Sequence, residues 1–175
     1  MQLAKQSDIH PLSCIAGRGI PFVETLVDKS KGYVIIDYRK GDRAVIEGIK
    51  AAIPLCEKLM YAFDAINEKG SSPNICKGLS TEGGKIMNIL GFEGTVQDGV
   101  ERSWTSVGSV YKEASNFGFA WFRMFDRGLQ EGWFKAHPQE VVPGGLGGIQ
   151  QEGKASAVKY VFRIADTHGV PKSSL

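Results

Sequence analysis

The sequence predicts an α/β protein built on a doubly wound parallel sheet. Tyr33-Val34-Ile35-Ile36-Asp37 and Tyr61-Ala62-Phe63-Asp64 are short apolar runs that each end on an acid. Between them Ala44, Val45, Ile46, Ile49, Ala52 and Ile53 recur at helical spacing, from Asp42 to the break at Pro54. Two strands joined by one helix of that length form a crossover, which makes the sheet parallel and buries it on both faces. Strand-like and helix-like segments then keep alternating along the rest of the chain, as doubly wound sheets require.

Taken in order, Met1 to Lys5 reads as the last turn of a helix. Pro11 to Ala16 is a strand that runs into Gly17-Arg18-Gly19, where glycine allows a sharp turn beside a ligand or another element. Phe22, Val23 and Leu26 mark the inner face of the next helix. Beyond the crossover unit, Ser71 or Ser72 can cap a helix running to Leu79, with Pro73 in its first turn and Ile75, Cys76 and Leu79 facing inward. Gly83-Gly84 turns the chain into a strand from Lys85 to Leu90. Glu93 to Arg102 is polar and reads as a surface loop, and Trp104 to Val110 has strand character around Gly108. Phe117, Trp121, Met124, Phe125 and Leu129 fall at helical spacing, an aromatic stripe that calls for burial. A glycine-rich stretch, Gly144 to Gly148, precedes a last strand from Ala157 to Ile164 and a polar tail.

Composition narrows the function classes. The chain has 175 residues, 42% of them hydrophobic, which suffices for one buried core. Its 21 basic and 19 acidic residues are scattered and leave a formal charge of +2, so no nucleic-acid stripe or membrane patch stands out. No apolar run has membrane-spanning length and no secretory leader is visible. Cys14, Cys56 and Cys76 are odd in number and widely spaced, which predicts reduced thiols, a cytoplasmic location and no structural zinc.

In a doubly wound sheet the ligand sits beyond the carboxyl ends of the strands. The residues to weigh are therefore Gly17-Arg18, Asp37-Tyr38-Arg39, Asp64-Ala65-Ile66, Leu90-Gly91-Phe92 and Gly108-Ser109-Val110. Arg18 stands where an unphosphorylated dinucleotide would want a carboxylate, and its guanidinium can fork onto a phosphate. A solvated loop arginine is the competing reading, with about equal weight. Tyr38 either flanks an adenine or covers an edge of the sheet. Asp37 and Asp64 fit turn and helix caps better than an acid–base pair. His10, His137 and His168 have no nucleophile or metal partner in sight and read as surface residues. The serines at 71, 72, 106 and 109 lack a Gly-x-Ser-x-Gly elbow, so serine hydrolysis is disfavoured. Gly144 to Gly148 follows no strand and precedes no lysine–serine pair, which makes it a turn before a phosphate cradle.

Several stretches together resemble the medium-chain dehydrogenase/reductase superfamily: Asp37 to Asp42, Tyr61 to Ala65, Gly83 to Ile86, Gly108 to Val110, Gly144 to Leu146, and Gly153 to Val161. The branch they are most similar to holds the fungal zinc-type alcohol dehydrogenases, quinone oxidoreductase-like proteins and the trans-acting enoyl reductases that work with polyketide synthases. That resemblance implies a Rossmann-like fold and NADP as hydride donor to an enoyl, quinone or carbonyl substrate, with no catalytic zinc. Arg18 would then meet the adenosine 2′-phosphate, Tyr38 would lie at the adenine end, and Leu90, Gly91, Phe92, Gly108, Ser109 and Val110 would line the nicotinamide. A small-molecule substrate and a polyketide synthase are the implied partners, and a homo-oligomer is allowed. The chain departs from the family in lacking a GroES-like catalytic domain, the first, central strand and its glycine-rich turn, and most of a helix between Ile149 and Gly153. The expectation is thus a partial dinucleotide-binding domain over residues 1–135, then a return segment over 136–175 whose strand belongs to the missing catalytic domain. No catalytic residue follows from the sequence. The alternative is a non-catalytic remnant that binds nucleotide poorly or acts as an interaction piece through its aromatic helix. A methyl-donor-dependent transferase on the same sheet is disfavoured, since its glycine-rich opening and following acid are also unseen.

Overall fold

A computed structural model describes residues 1–68, 70–89, 91, 95–150 and 157–169. The fold is mixed α/β with parallel strands, as the crossover pattern requires. α1 (Gln2–Gln6) leads into β1 (Ser13–Ala16), α2 (Ile20–Glu24), β2 (Val34–Asp37) and α3 (Asp42–Ala51). β3 (Tyr61–Asp64), α4 (Ser71–Cys76), β4 (Gly84–Asn88), β5 (Val100–Trp104) and α5 (Ser115–Glu131) follow, and β6 (Gln139–Val142) and β7 (Lys159–Phe162) close the order.

β1 pairs in parallel with β2, and β4 pairs in parallel with β3 on one side and β5 on the other. β6 and β7 form a further parallel pair. In the Rossmann strand order 3-2-1-4-5-6, β2-β1 occupy the first two places and β3-β4-β5 the last three. The break between the groups falls at the place of the first strand in that order.

Two apolar clusters fill the interior. Ile36, Val45 and Ile49 join β2 to α3, while Cys76, Leu79, Ile86 and Val100 join α4 to β4 and β5. Leu59 and Ile75 pack against both clusters and so connect the two strand groups. A hydrogen bond from Asn74 Nδ2 of α4 to Asp42 Oδ1 of α3, 2.8 Å long, ties the helix starts together. Because α3 begins just beyond the carboxyl end of β2 and α4 just beyond that of β3, this bond places both carboxyl ends at one rim.

Some sequence expectations are corrected. The sheet is not covered on both faces, for Tyr61 and Phe63 of β3 are 74% and 63% exposed. The residues 93–102 are not all loop, because β5 starts at Val100, and 107–111 form a 3-10 helix instead of a strand. Pairing to β4 decides the first point; β5 carries only one buried apolar residue, so its own pattern could not announce it. Ser106 decides the second, since its Oγ accepts from Gly108 N and its carbonyl accepts from Ser109 Oγ. α4 stops at Cys76 with Gly70 at its N-cap, because the hydroxyls of Ser71 and Ser72 are taken by Asp64. The aromatic stripe of α5 is only partly buried: Trp121, Met124 and Phe125 are half-buried, whereas Phe117 and Leu129 are exposed, as are Phe119 and Phe122 off the stripe.

Candidate functional site

The register of β1 on β2 builds one corner of the rim. Ala16 lies opposite Asp37, so Gly17 and Arg18 leave the sheet beside Tyr38 and Arg39. Gly17 is buried under the Tyr38 ring, and a Cβ there would lie 2.5 Å from Cε1 and 2.6 Å from Cζ. Any side chain at 17 would therefore push the ring away. Arg18 is exposed and Tyr38 is half open to solvent. Asp37 holds the turn between them: its Oδ1 accepts from Arg39 N at 3.0 Å and from Arg39 Nε at 2.9 Å, and its Oδ2 accepts from Arg39 Nη2 at 2.7 Å. Those bonds hold its carboxyl at a pKa of about 2, well below the usual aspartate range. A shallow cleft of about 390 Å³ runs along β2 and α3 past Asp37, Lys40 and Glu47.

A second corner forms at the ends of β3 and β4, where Asp64 lies opposite Asn88 and Asn88 opposite Trp104. Asp64 is 4% exposed and accepts four hydrogen bonds. Its Oδ1 takes the amides of Ile66 at 3.0 Å and Asn67 at 2.9 Å; its Oδ2 takes the hydroxyls of Ser71 and Ser72, both at 2.6 Å. Burial by itself raises its pKa, but these hydroxyls and amides outweigh that and hold it below the ordinary value. Asn88, fully buried, donates from Nδ2 to Ser72 Oγ at 2.7 Å and to Asn67 Oδ1 at 3.1 Å. Asn67 Nδ2 reaches across to the carbonyl of Gly91 at 2.9 Å. The arrangement stitches β3, β4 and α4 together, which is structural capping and leaves Asp64 no free face for proton transfer.

The candidate residues thus separate into groups. Arg18 and Tyr38 are adjacent, and Gly91 stands at the same rim by way of Asn67 and Asp64. Gly108 and Ser109 lie in the 3-10 turn after β5, half-buried, while Val110 packs against Gly118 of α5. Leu90 and Phe92 lie outside the described residues, as do 153–156 of the resembling stretch. Asn67 and Asn88 left no signal in the sequence, and Ser71 and Ser72, expected to cap the helix, instead donate their hydroxyls to Asp64. His10 is exposed, as read from the sequence, and its ring bonds the hydroxyl of buried Tyr33 through Nδ1 and Asp8 through Nε2. No group of His, Cys, Asp and Glu among the described residues is arranged to hold a metal ion, and no described helix is long and apolar enough to cross a membrane.

No family model matches the chain. Among curated proteins it is 49% identical, over 146 residues, to a trans-enoyl reductase, fsr4 of Gibberella fujikuroi. That alignment takes in 82% of this chain and 43% of the relative, so the chain spans less than half the length of the protein it matches.

Proposed function

We propose, from the premise that this chain is a homologue of the trans-enoyl reductases, that it forms the cofactor-holding part of an NADP-dependent oxidoreductase. The observation that carries the reading is the corner made by Gly17, Arg18 and Tyr38 at the carboxyl rim of β1 and β2. NADPH, when bound, supplies the hydride. The chain's own residues bind and orient it: Arg18 takes the 2′-phosphate through its planar fork, and Tyr38 lies against the adenine. The nicotinamide end is assigned to Gly91 together with Gly108, Ser109 and Val110 of the turn after β5. The substrate is a small molecule carrying an enoyl, quinone or carbonyl double bond, with the enoyl group favoured because the relative is a trans-enoyl reductase. A polyketide synthase that presents the substrate is the implied partner, the setting is secondary metabolism, and the compartment is the cytoplasm. Residues 1–135 hold the cofactor and 136–175 lead toward a catalytic domain.

A competing reading is a non-catalytic chain that acts through α5, where Phe117, Phe119 and Phe122 are exposed. Fluorescence of Trp104, Trp121 and Trp133 during titration with NADPH separates the two. The cofactor reading expects saturable quenching, weaker with NADH, and a Kd about tenfold higher in Arg18→Ala, the loss of one charge-assisted contact. The difference between variant and parent should shrink as salt rises, because the contact is at the surface. A flat NADPH titration of the parent protein supports the non-catalytic reading.

A further inference from the structure

We infer that Asp37 is a positioning residue for the nucleotide shelf: by accepting the Arg39 amide, it builds the turn that lays the Tyr38 ring over Gly17. The inference deepens the reading of this corner as the adenosine end and rests on it.

β2 ends at Asp37, and nothing in the strand pairing beyond Ala16 and Asp37 fixes where Tyr38 points. The 3-10 turn Tyr38–Lys40 that follows has Asp37 as its N-cap, in extended conformation, with its side chain accepting from Arg39 N. An aspartate that bonds an amide two residues on makes an Asx turn, which fixes the path of the residue between them. That residue is Tyr38. Its ring then meets Gly17, where a side chain would block it. The same carboxylate grips the Arg39 guanidinium at Nε and Nη2. The fork of Arg39 is therefore spent within the turn, and the rim faces the ligand with Tyr38 and Arg18. Asp37 acts through Tyr38 and does not touch the nucleotide.

The test compares Asp37→Ala, Asp37→Asn and the parent chain by two measurements. One is the nuclear Overhauser effect between the Gly17 α-protons and the Tyr38 ring, which needs no ligand. The other is the Kd for NADPH by tryptophan fluorescence. Asparagine keeps an oxygen for the Arg39 amide, so Asp37→Asn should retain the Overhauser contact and bind NADPH within about threefold of the parent. Alanine removes the acceptor, so Asp37→Ala should lose the contact and bind about tenfold more weakly. An unchanged Overhauser contact in Asp37→Ala overturns the inference, and so does its loss in both variants, which would trace the shelf to the ion pair. If the contact follows the expected pattern while the parent fails to bind NADPH, the shelf stands and the cofactor reading falls.

Discussion

Replacing Asp64 by alanine removes the acceptor for two backbone amides and two hydroxyls at the junction of β3 and α4. A hydrogen bond to a charged group contributes about 1.5–3 kcal/mol net, but not every donor is stranded by the change. The amides of Ile66 and Asn67 belong to an open loop and can turn to water. Ser72 is the costly partner: it is 2% exposed, and its one proton must move to Asn67 Oδ1, which lies 2.9 Å away and already accepts from Asn88. Counting Ser72 and Ser71 in full and the amides at little, Asp64→Ala should cost about 3–6 kcal/mol. Asp64→Asn keeps one acceptor oxygen and should cost about half as much. Urea unfolding at pH 7, followed by tryptophan fluorescence, reads both values directly. If Asp64→Ala unfolds within about 0.5 kcal/mol of the parent, the corner is not held by this carboxylate and the capping argument fails. A catalytic aspartate would give the opposite pattern, with stability kept and turnover lost.

Ile86 is 1% exposed at the centre of the α4, β4 and β5 cluster, so Ile86→Ala should destabilise by about 2–5 kcal/mol in the same urea assay. Gly17→Ala should leave the urea midpoint near that of the parent, because an exposed ring can swing aside, yet raise the NADPH Kd about tenfold by moving the shelf. Equal NADPH affinity in Gly17→Ala would detach Tyr38 from cofactor binding. Asp37 and Asp64 both have depressed carboxyl pKa values in the folded chain. Their contribution is complete above the unfolded aspartate value of about 3.9 and drains away as pH falls, through about 2 for Asp37. Stability measured against pH should therefore drop below about pH 4, and Asp64→Ala should flatten that limb.

The strands at 13–16, 34–37 and 61–64 were legible as short apolar runs, and the helix between the latter two because it buries its own apolar face at Val45 and Ile49, so that its spacing records the packing. The acids ending two of those strands likewise announced caps, since an aspartate at a strand exit meets free amides whatever the rest of the fold does. β5 and β6 left little trace: five and four residues long, they hold one buried residue each. A strand stabilised by ladder bonds to a neighbour needs no apolar pattern of its own. α5 misled in the other direction, its aromatic spacing implying a burial that the described fold supplies only for one flank.

The residue types at the rim, and their order after each strand, were set by the sequence alone: a guanidinium at 18, an aromatic ring at 38, carboxylates at 37 and 64. Their company was decided by tertiary structure. Parallel register brought Gly17 under Tyr38, and the Asn74–Asp42 bond drew two strand groups to a common rim. Side chains remote in sequence, such as Asn88 and Ser72, became partners only because burial left neither with water to turn to. Local chemistry is written residue by residue, whereas such pairings depend on which surfaces the whole chain removes from solvent together.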